Sequence, residues 1–477
     1  MKAFRFMNRI TLIIIHLMFV QAVFSQAYKI KVTIDNYPND TLMLGYHYGE
    51  KQYLRDTAIR KNGEFIFQGK DELEPGMYLV VTRPDNDYFQ MLVESGKQNF
   101  SIRTSADDLS GKLKYKDSKL NEEFIEYVDF VSSRRSEADS LQGKLRSETD
   151  SLKQAPIKQR LANLDTEVKN KQNLILKTRD KSVLSTLIRW SLDVDVPLFE
   201  GTTQMEKDEK AFLYYRTHYF DYVDFTDDRA VRLPLFHNKI DRYLTKLTAQ
   251  VPDSINQALD YIFSKCPEKG ELYKYLLSSS LNNYGNSKYV GMDGVYVHLA
   301  EKYYGAGKAP WVDAETLAKI VQDAKALKPL LIDKIAPDIK VFKQDGTPIT
   351  LHSVNSPYTV FVIWAPDCSH CKHSMPELIK FYNEYKSKGV EIFALCNKVG
   401  KDEKSCWEGV ESLHMDNWIN TSDPTHSSNF RILYDVKSTP QVYILDENKK
   451  ILTKKIAVEQ LGDVMEKLFK FKANEKK

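Results

Sequence analysis

Cysteine is scarce in this chain, with 5 among 477 residues. So few cysteines exclude a fold held together by a disulfide framework, as small secreted domains use. Hydrophobic residues make up 42% and charged residues 28% of the chain. These fractions exclude wholesale disorder, a collagen-like repeat and a polytopic membrane protein. A chain of this length has room for about two to four globular domains.

An excess of charge of one sign is also absent. The formal net charge is +3, and the cations Lys2, Arg5 and Arg9 lie in the first segment of the chain. Without these three the charges balance, and nothing in the sequence indicates nucleic acid as a partner.

The first segment has the pattern of a secretory signal peptide. Its cations precede an uncharged run from Ile10 to Phe24, which is followed by small Ser25 and then Gln26. We expect residues 1–25 to be removed and the remainder to be exported. An uncleaved membrane anchor is the alternative, although the run is short for a span that needs about 20 apolar residues. The cleavage point has no cysteine, which disfavours a lipid-anchored protein.

Residues 26–106 have the pattern of a β-rich module. Segments rich in Tyr, Phe, Val and Ile alternate with turn signals such as Asn62-Gly63 and Pro75-Gly76. The predicted strands are Tyr28–Ile34, Thr41–Tyr48, Glu64–Gly69, Met77–Thr82, Tyr88–Val93 and Gln98–Ile102. Their spacing predicts a small antiparallel β-sandwich. Because it carries no cluster of chemically active side chains, we interpret it as a packing or binding module.

Residues 107–330 form a second region, in which apolar side chains recur three and four positions apart among Lys, Glu and Arg. The helical segments are Leu120–Val131, Leu141–Leu152 and Ile157–Leu176. We expect an α-helical domain with an aromatic core, and a coiled-coil or dimerisation role is the less favoured alternative. Cys266 is expected in a helix core. Three histidines are scattered without metal-ligand spacing: His218, His237 and His298.

Residues 335–477 alternate strands with helices, which predicts an α/β domain whose sheet is covered on both faces. The predicted strands are Ile339–Phe342, Pro348–Leu351, Tyr358–Trp364, Val390–Leu395, Gln441–Leu445 and Lys450–Lys455. Helices are predicted from Cys368, near Glu403–Leu413 and from Val458. The whole chain is therefore predicted to be multidomain, with a β-sandwich, a central helical domain and a C-terminal α/β domain.

Two of the cysteines, Cys368 and Cys371, form a Cys-Ser-His-Cys motif at the junction of a predicted strand and helix. The first turn of a helix offers unpaired backbone N–H groups and the positive end of the helix dipole, which lower the pKa of Cys368. Cys371 lies one turn further and can form a disulfide with Cys368. His370 between them is a candidate for further stabilisation of the thiolate. The motif predicts thiol–disulfide exchange, in which Cys368 attacks and Cys371 resolves the mixed disulfide.

A metal site is an alternative for the same motif. Zinc usually needs a second pair of ligands, and the sequence has none at suitable spacing. The set Cys368, His370, Cys371 and His373 keeps a mononuclear site as an alternative. For the exchange reaction we expect neither a metal nor another cofactor.

The C-terminal region resembles the thioredoxin superfamily, and within it the TlpA-like envelope thioredoxins. The resemblance runs from Ile335 to about Phe469. Its motifs, in the family's order, are Ala336-Pro337-Asp338, Asp345-Gly346, Phe361 to Ala365, Cys368 to Cys371, Met375 to Leu378, Ser438-Thr439-Pro440 and Gln441 to Asp446. It implies a cis Pro440 beside the cysteines and pairing of the Thr439 backbone with an extended substrate. It also implies a helix kinked at Pro376 and Trp364 packed beneath the pair.

Two positions depart from the family pattern. Val362 stands where cytoplasmic thioredoxins have a buried Asp that assists proton transfer, and Ser374 where many TlpA-like proteins have an acidic residue. The proton of Cys371 must then go to water, to substrate or to Glu377. The intervening Ser-His resembles the pairs of disulfide isomerases and oxidases more than those of reductants, so the direction of electron flow stays open.

Two further cysteines lie close together in the sequence. Cys396 ends a predicted strand and Cys406 lies in the next predicted helix. A buried free thiol is the favoured interpretation of Cys396, ahead of a disulfide with Cys406.

These observations favour an exported thiol–disulfide oxidoreductase in the periplasm or cell envelope of a Gram-negative bacterium. Its partners would be protein dithiols or disulfides and a membrane redox partner, and its oligomeric state is not predicted. The two N-terminal regions resemble modules that precede thioredoxin domains in exported proteins, which implies partner selection or positioning. The alternative is an envelope binding or organisation protein that uses its helical domain, with a secondary redox or metal-binding pair. A peroxidase is less favoured, because those enzymes place a lone reactive cysteine in a different loop context.

Overall fold

The structure is a computed structural model that describes residues 26–475, so the predicted signal peptide, residues 1–25, lies outside the described residues. The strands are β1 (Tyr28–Asp35), β2 (Thr41–Tyr48), β3 (Lys51–Ile59), β4 (Phe65–Gly69), β5 (Gly76–Val81), β6 (Tyr88–Val93), β7 (Asn99–Ser105), β8 (Lys114–Lys116), β9 (Lys340–Phe342), β10 (Pro348–Thr350), β11 (Tyr358–Trp364), β12 (Val390–Cys396), β13 (Ile419–Thr421), β14 (Gln441–Asp446) and β15 (Ile451–Lys454).

The helices are α1 (Lys119–Ser147), α2 (Ser151–Thr178), α3 (Val183–Ser191), α4 (Gln204–His218), α5 (Pro234–Lys246), α6 (Pro252–Lys265), α7 (Glu271–Gly285), α8 (Asp293–Leu299), α9 (Ala314–Leu327), α10 (Ser369–Tyr385), α11 (Lys404–Ser412), α12 (Phe430–Leu433) and α13 (Leu461–Glu475). Within residues 26–475, none of the helices combines the length and the apolar character that a membrane span requires.

Two four-stranded sheets at the start of the chain share one hydrophobic core, which confirms the predicted sandwich. Their strand orders are β4-β1-β7-β8 and β3-β2-β5-β6. Alternate residues of each strand point to the same face, so Ile30 and Val32 of β1 share this core with Leu42 and Leu44 of β2. One pair differs from the antiparallel expectation, since β1 and β7 are parallel. They are joined through strands of the second sheet, and a parallel pair needs such a crossover.

Two strands of the sandwich were not predicted. β3 is mostly exposed, so its sequence lacks the alternation of apolar and polar residues that marks a half-buried strand. It is nevertheless paired with β2 along its whole length. β8 pairs with β7, so the sheet extends past the predicted boundary at residue 106.

Two long helices follow the sandwich. The predicted segments Leu120–Val131 and Leu141–Leu152 do not form two separate helices, because α1 continues to Ser147. A new helix starts after Asp150, whose carboxylate accepts a hydrogen bond from the backbone N–H of Leu152 at 2.9 Å and caps the N-terminus of α2. Most of their surface is exposed, and ion pairs link the two helices, as predicted for a charged, solvated region.

The chain divides into two units. Among the described residues, the first comprises 26–243 with Gly270–Leu272, and the second Leu244–Lys269 with 273–475. The division falls inside the predicted helical domain, residues 107–330, and the domain boundaries stay predictions. In the second unit the buried ammonium of Lys454 on β15 pairs with Asp293 of α8. This part of the helical region therefore shares buried polar contacts with the C-terminal sheet.

The C-terminal sheet has the strand order β13-β12-β11-β14-β15. All seven residues of the central strand β11 are buried, and it pairs in parallel with β12 and antiparallel with β14. Val362 and Trp364 face a core that includes α10 and α13, whereas Phe361 and Ile363 face a core with the β9–β10 hairpin and α12. The expected α/β domain, covered on both faces, is confirmed.

Candidate active site

The candidate site begins where β11 ends. Trp364 is the last residue of β11, and Cys368 is the N-cap of α10. The backbone N–H of Cys371 donates a hydrogen bond to Cys368 Sγ at 3.3 Å. Cys368 is half-buried, Cys371 is buried, and both are free thiols. The structure therefore places the two cysteines in their reduced form at a strand–helix junction, with Cys368 Sγ at the N-terminal end of the helix.

The loop before β14 lies against Cys368. The Cys368 thiol donates a hydrogen bond to the carbonyl oxygen of Thr439 at 3.2 Å. The Thr439–Pro440 peptide bond is cis, as the family resemblance implied. The Cys368 sulfur therefore lies between the first turn of α10 and the backbone of Thr439.

The two thiols differ in acidity. Burial raises the pKa of Cys368. The side-chain hydrogen bonds of Thr439 and Cys371 and the backbone N–H groups of Cys371 and His370 stabilise the thiolate and outweigh burial, so this pKa lies below its ordinary value. Burial is the largest influence on Cys371 and raises its pKa well above the ordinary value. The site therefore favours a thiolate on Cys368 and a protonated thiol on Cys371.

The predicted supporting residues surround the pair in different ways. Trp364 is fully buried and shares a core with Cys371. Pro376 lies inside α10 and is exposed. The side chain of His370 is exposed, and its contribution to the Cys368 pKa comes from its backbone N–H. A role for the His370 imidazole stays a prediction.

The positions that depart from the family pattern bring no free carboxylate to the site. Val362 is buried on β11. Glu377, the candidate proton acceptor, forms an ion pair with Lys380 at 2.8 Å on the surface of α10. Because Glu377 is paired with Lys380, water and the substrate are the remaining candidates to accept the proton of Cys371.

Cys396 and Cys406 form a disulfide, so the prediction of a free thiol at Cys396 is wrong. Their Cα atoms are 5.9 Å apart, which lies within the range that a disulfide requires. The bond forms because α11 packs back against the end of β12, which leaves both cysteines buried. Two nearby cysteines in a chain predicted to be exported were the available signal, since disulfides persist in oxidising compartments.

The segment after this disulfide contacts the loop that carries Cys368. The backbone N–H of Asn397 donates to the carbonyl oxygen of Trp364 at 2.7 Å. The ammonium of Lys398 pairs with the carboxylate of Asp367 at 2.6 Å. Gly409 of α11 lies so close to Trp364 that a Cβ there would come within 2.9 Å of the indole ring. These contacts, which hold the loop in place from one side, are not predicted by any local pattern in the sequence.

The other residues considered for metal or redox chemistry lie outside this site. Cys266 is buried at the C-terminal end of α6, forms no disulfide and donates its thiol to the carbonyl oxygen of Ile262 at 3.5 Å. His298 contacts Asp260, and His218 contacts Asp221. Within residues 26–475, no group of three or more His, Cys, Asp and Glu side chains is arranged to hold a metal ion.

Three family models match separate segments that together make up most of the chain. A family model described as Redoxin matches residues 332–467. The C-terminal domain belongs to the thioredoxin superfamily. Upstream of this thioredoxin-like domain, two domains of unknown function match, DUF4369 over residues 28–124 and DUF5106 over residues 166–328.

The thioredoxin-like domain is similar to proteins from several bacteria. The thiol-disulfide oxidoreductase ResA of Oceanobacillus iheyensis is 31% identical over 127 residues, which are 24% of this chain and 60% of that protein. The crystal structure of a domain of a possible thiol-disulfide isomerase from Cytophaga hutchinsonii is 30% identical over 31% of this chain and 99% of its own, with a TM-score of 0.29. A thioredoxin-like protein from Bacteroides caccae is 18% identical over 57% of this chain and 98% of its own, with a TM-score of 0.38. The chain therefore spans 60% of the length of the first curated relative.

Proposed function

We propose that this chain is an exported thiol–disulfide oxidoreductase that exchanges disulfides with proteins of the cell envelope through Cys368 and Cys371. The observation that carries the proposal is the position of Cys368 Sγ, which receives the Cys371 N–H at a helix N-terminus and lies against Thr439 next to a cis proline. The name of the ResA relative, a thiol-disulfide oxidoreductase, supports the same activity.

The reaction starts with loss of the Cys368 proton. In the resting thiol, this proton is donated to the Thr439 carbonyl oxygen; in the thiolate, the N–H of Cys371 stabilises the charge. The thiolate attacks one sulfur of a substrate disulfide, forms a mixed disulfide and releases the other sulfur as a thiolate, which takes up a proton. The carbonyl of Thr439 is then free to accept a hydrogen bond from the backbone of an extended substrate.

Cys371 completes the exchange. Its thiol loses a proton and attacks Cys368 Sγ, which releases the second substrate thiol and leaves a Cys368–Cys371 disulfide. The substrate has gained two electrons and the pair has lost two. The same steps in reverse oxidise a substrate dithiol, and the structure is compatible with both directions. A raised pKa of Cys371 keeps the thiol protonated until the mixed disulfide has formed.

The remaining predicted roles complete the proposal. Trp364 supports the pair from the core, Pro376 shapes α10, and the exposed His370 tunes the acidity of Cys368. A membrane redox partner restores the pair after each turnover, in the periplasm or envelope of a Gram-negative bacterium. The regions 26–106 and 107–330 position the domain or select its partners.

Turnover with defined variants tests this proposal. The reduced full chain is mixed with a fluorescent disulfide peptide in glutathione buffer, and the rate of peptide reduction is measured. Replacement of Cys368 by Ser should abolish exchange, because no thiolate remains at the helix N-terminus. The control Cys266→Ser removes a buried thiol elsewhere and should keep the wild-type rate. Retained turnover in Cys368→Ser would overturn the proposal.

A further inference from the structure

A groove of about 890 Å³ lies next to the redox motif. One wall carries residues on both sides of the cysteine pair, Pro366 and Asp367 before it and Lys372 after it. The opposite wall consists of the segment after β12 and of α11, and it carries Lys398 and Lys401. A polypeptide whose cysteine reaches Cys368 therefore places neighbouring residues at the edge of this groove.

The charges that line the groove are unevenly paired. Lys398 is neutralised by Asp367 at 2.6 Å, and Lys404 by Glu408 at 3.2 Å. Two other lysines, Lys372 and Lys401, are exposed on opposite walls, and neither forms an ion pair or a hydrogen bond within residues 26–475. Lys372 interacts with Asp367 only at longer range, where its charge helps to lower the pKa of that carboxylate.

One further carboxylate, Asp402, lines the groove next to Lys401. Two ammonium groups of the groove, those of Lys372 and Lys401, therefore lack an ion-pair partner, against one carboxylate, that of Asp402. An anionic group that enters the groove meets an ammonium from each wall and displaces no existing ion pair.

The opposite wall is held in place covalently. The disulfide Cys396–Cys406 ties the start of α11 to the end of β12, and the segment between these cysteines carries Lys398 and Lys401. Gly409 packs α11 directly onto Trp364. A fixed wall reduces the ordering that binding would require, so the backbone that carries Lys401 is preorganised for a ligand.

We propose that this groove binds acidic side chains next to the reactive cysteine of a substrate polypeptide, and that exchange is faster for such substrates. The proposal rests on the proposed function, because it names the substrate class of the same redox pair. Complementary charge around a contact increases the association rate and selects partners more than it raises affinity. The interaction is also confined to a Debye length of about 8 Å at physiological salt, so only residues close to the substrate cysteine are selected.

Three disulfide peptides that differ only in the residues flanking the cysteine provide the test. These residues are Asp in one peptide, Ser in the second and Lys in the third, and the second-order rate of mixed-disulfide formation is measured with the reduced full chain. Because exposed ion pairs in water are individually weak, we expect the Asp peptide to react about three- to tenfold faster than the Ser peptide at low salt. The preference should shrink at high salt.

A charge-reversal pair identifies the groove. Lys372→Glu with Lys401→Glu should abolish or reverse the preference for the Asp peptide. The matched control is Lys340→Glu with Lys343→Glu, which reverses two exposed lysines of the same domain that do not line the groove. Each preference is expressed relative to the Ser peptide, so that a change in Cys368 acidity cancels.

The outcomes separate this inference from the proposed function. An unchanged preference in the groove variant, or an equal loss in the control, would overturn the groove while exchange itself stands. Equal rates for all three peptides with the wild type would overturn it as well. No reaction with any peptide would instead overturn the proposed function and, with it, the groove.

Discussion

The disulfide between Cys396 and Cys406 is expected to stabilise the thioredoxin-like domain by an amount that depends on the length of the loop it closes. It closes a loop with a sequence separation of 10 residues. The loss of chain entropy in the unfolded state gives about 2.7 kcal/mol for a loop of this length. Replacing both cysteines by Ala should lower the free energy of unfolding by this amount, plus the cost of removing two buried sulfurs.

The second contribution can be measured separately in the same molecule. Cys266 is buried in the same unit, forms no disulfide and donates its thiol to the carbonyl oxygen of Ile262 at 3.5 Å. Cys266→Ala therefore reports the cost of removing one buried sulfur, with its hydrogen bond, without opening a loop. Twice this cost is subtracted from the destabilisation of the double variant. The remainder should be about 2.7 kcal/mol if loop closure accounts for the effect.

Hydrogen exchange of the full chain in increasing urea is the suitable assay. Peptides from β12 and α11 report the opening of the unit that contains the disulfide, so a separate transition in the first unit does not interfere. We expect the free energy of opening to fall by the corrected amount in these peptides and to change little in peptides from β1 to β8. A corrected difference near zero would contradict this prediction, because it would mean that the disulfide does not constrain the unfolded segment.

Two further predictions concern the surroundings of Cys368. The alkylation of Cys368 by iodoacetamide, followed by mass, should show a pH midpoint below the value of about 8.5 for a free cysteine. Cys371 should stay unmodified in this pH range because burial raises its pKa. A midpoint of 8.5 or higher for Cys368 would contradict the proposed thiolate. Gly409→Ala should destabilise the domain by about 1 to 3 kcal/mol, because the new methyl group would come within 2.9 Å of Trp364; an unchanged urea midpoint would show that α11 can move away from the indole.

The features of the site that depend on local sequence could be predicted. A largely apolar strand of seven residues ends at Trp364, and a helix starts directly after Cys368. The strand, the turn and the helix N-terminus therefore all follow from neighbouring residues. The position of Pro440 beside the pair came instead from the family resemblance. No local pattern places Thr439 next to Cys368, since they are 71 residues apart.

The features that were missed depend on tertiary contacts. The Cys396–Cys406 bond requires α11 to pack against the end of β12, which the spacing of the two cysteines does not show. The contact between Lys398 and Asp367 depends on the register of β11 with β12. Strand β3 was missed for a different reason, because its pairing with β2 uses backbone groups while its side chains are mostly exposed.

In the proposed reaction Cys368 attacks the substrate and Cys371 resolves the intermediate. The direct measurement uses the full chain with Cys371→Ser, reduced at the motif, mixed with a disulfide peptide and mapped by mass spectrometry. A mixed disulfide should form on Cys368 and persist, because the resolving thiol is gone, and Cys266 should stay unmodified. A peptide adduct on another cysteine, or none on Cys368, would contradict the proposed reaction.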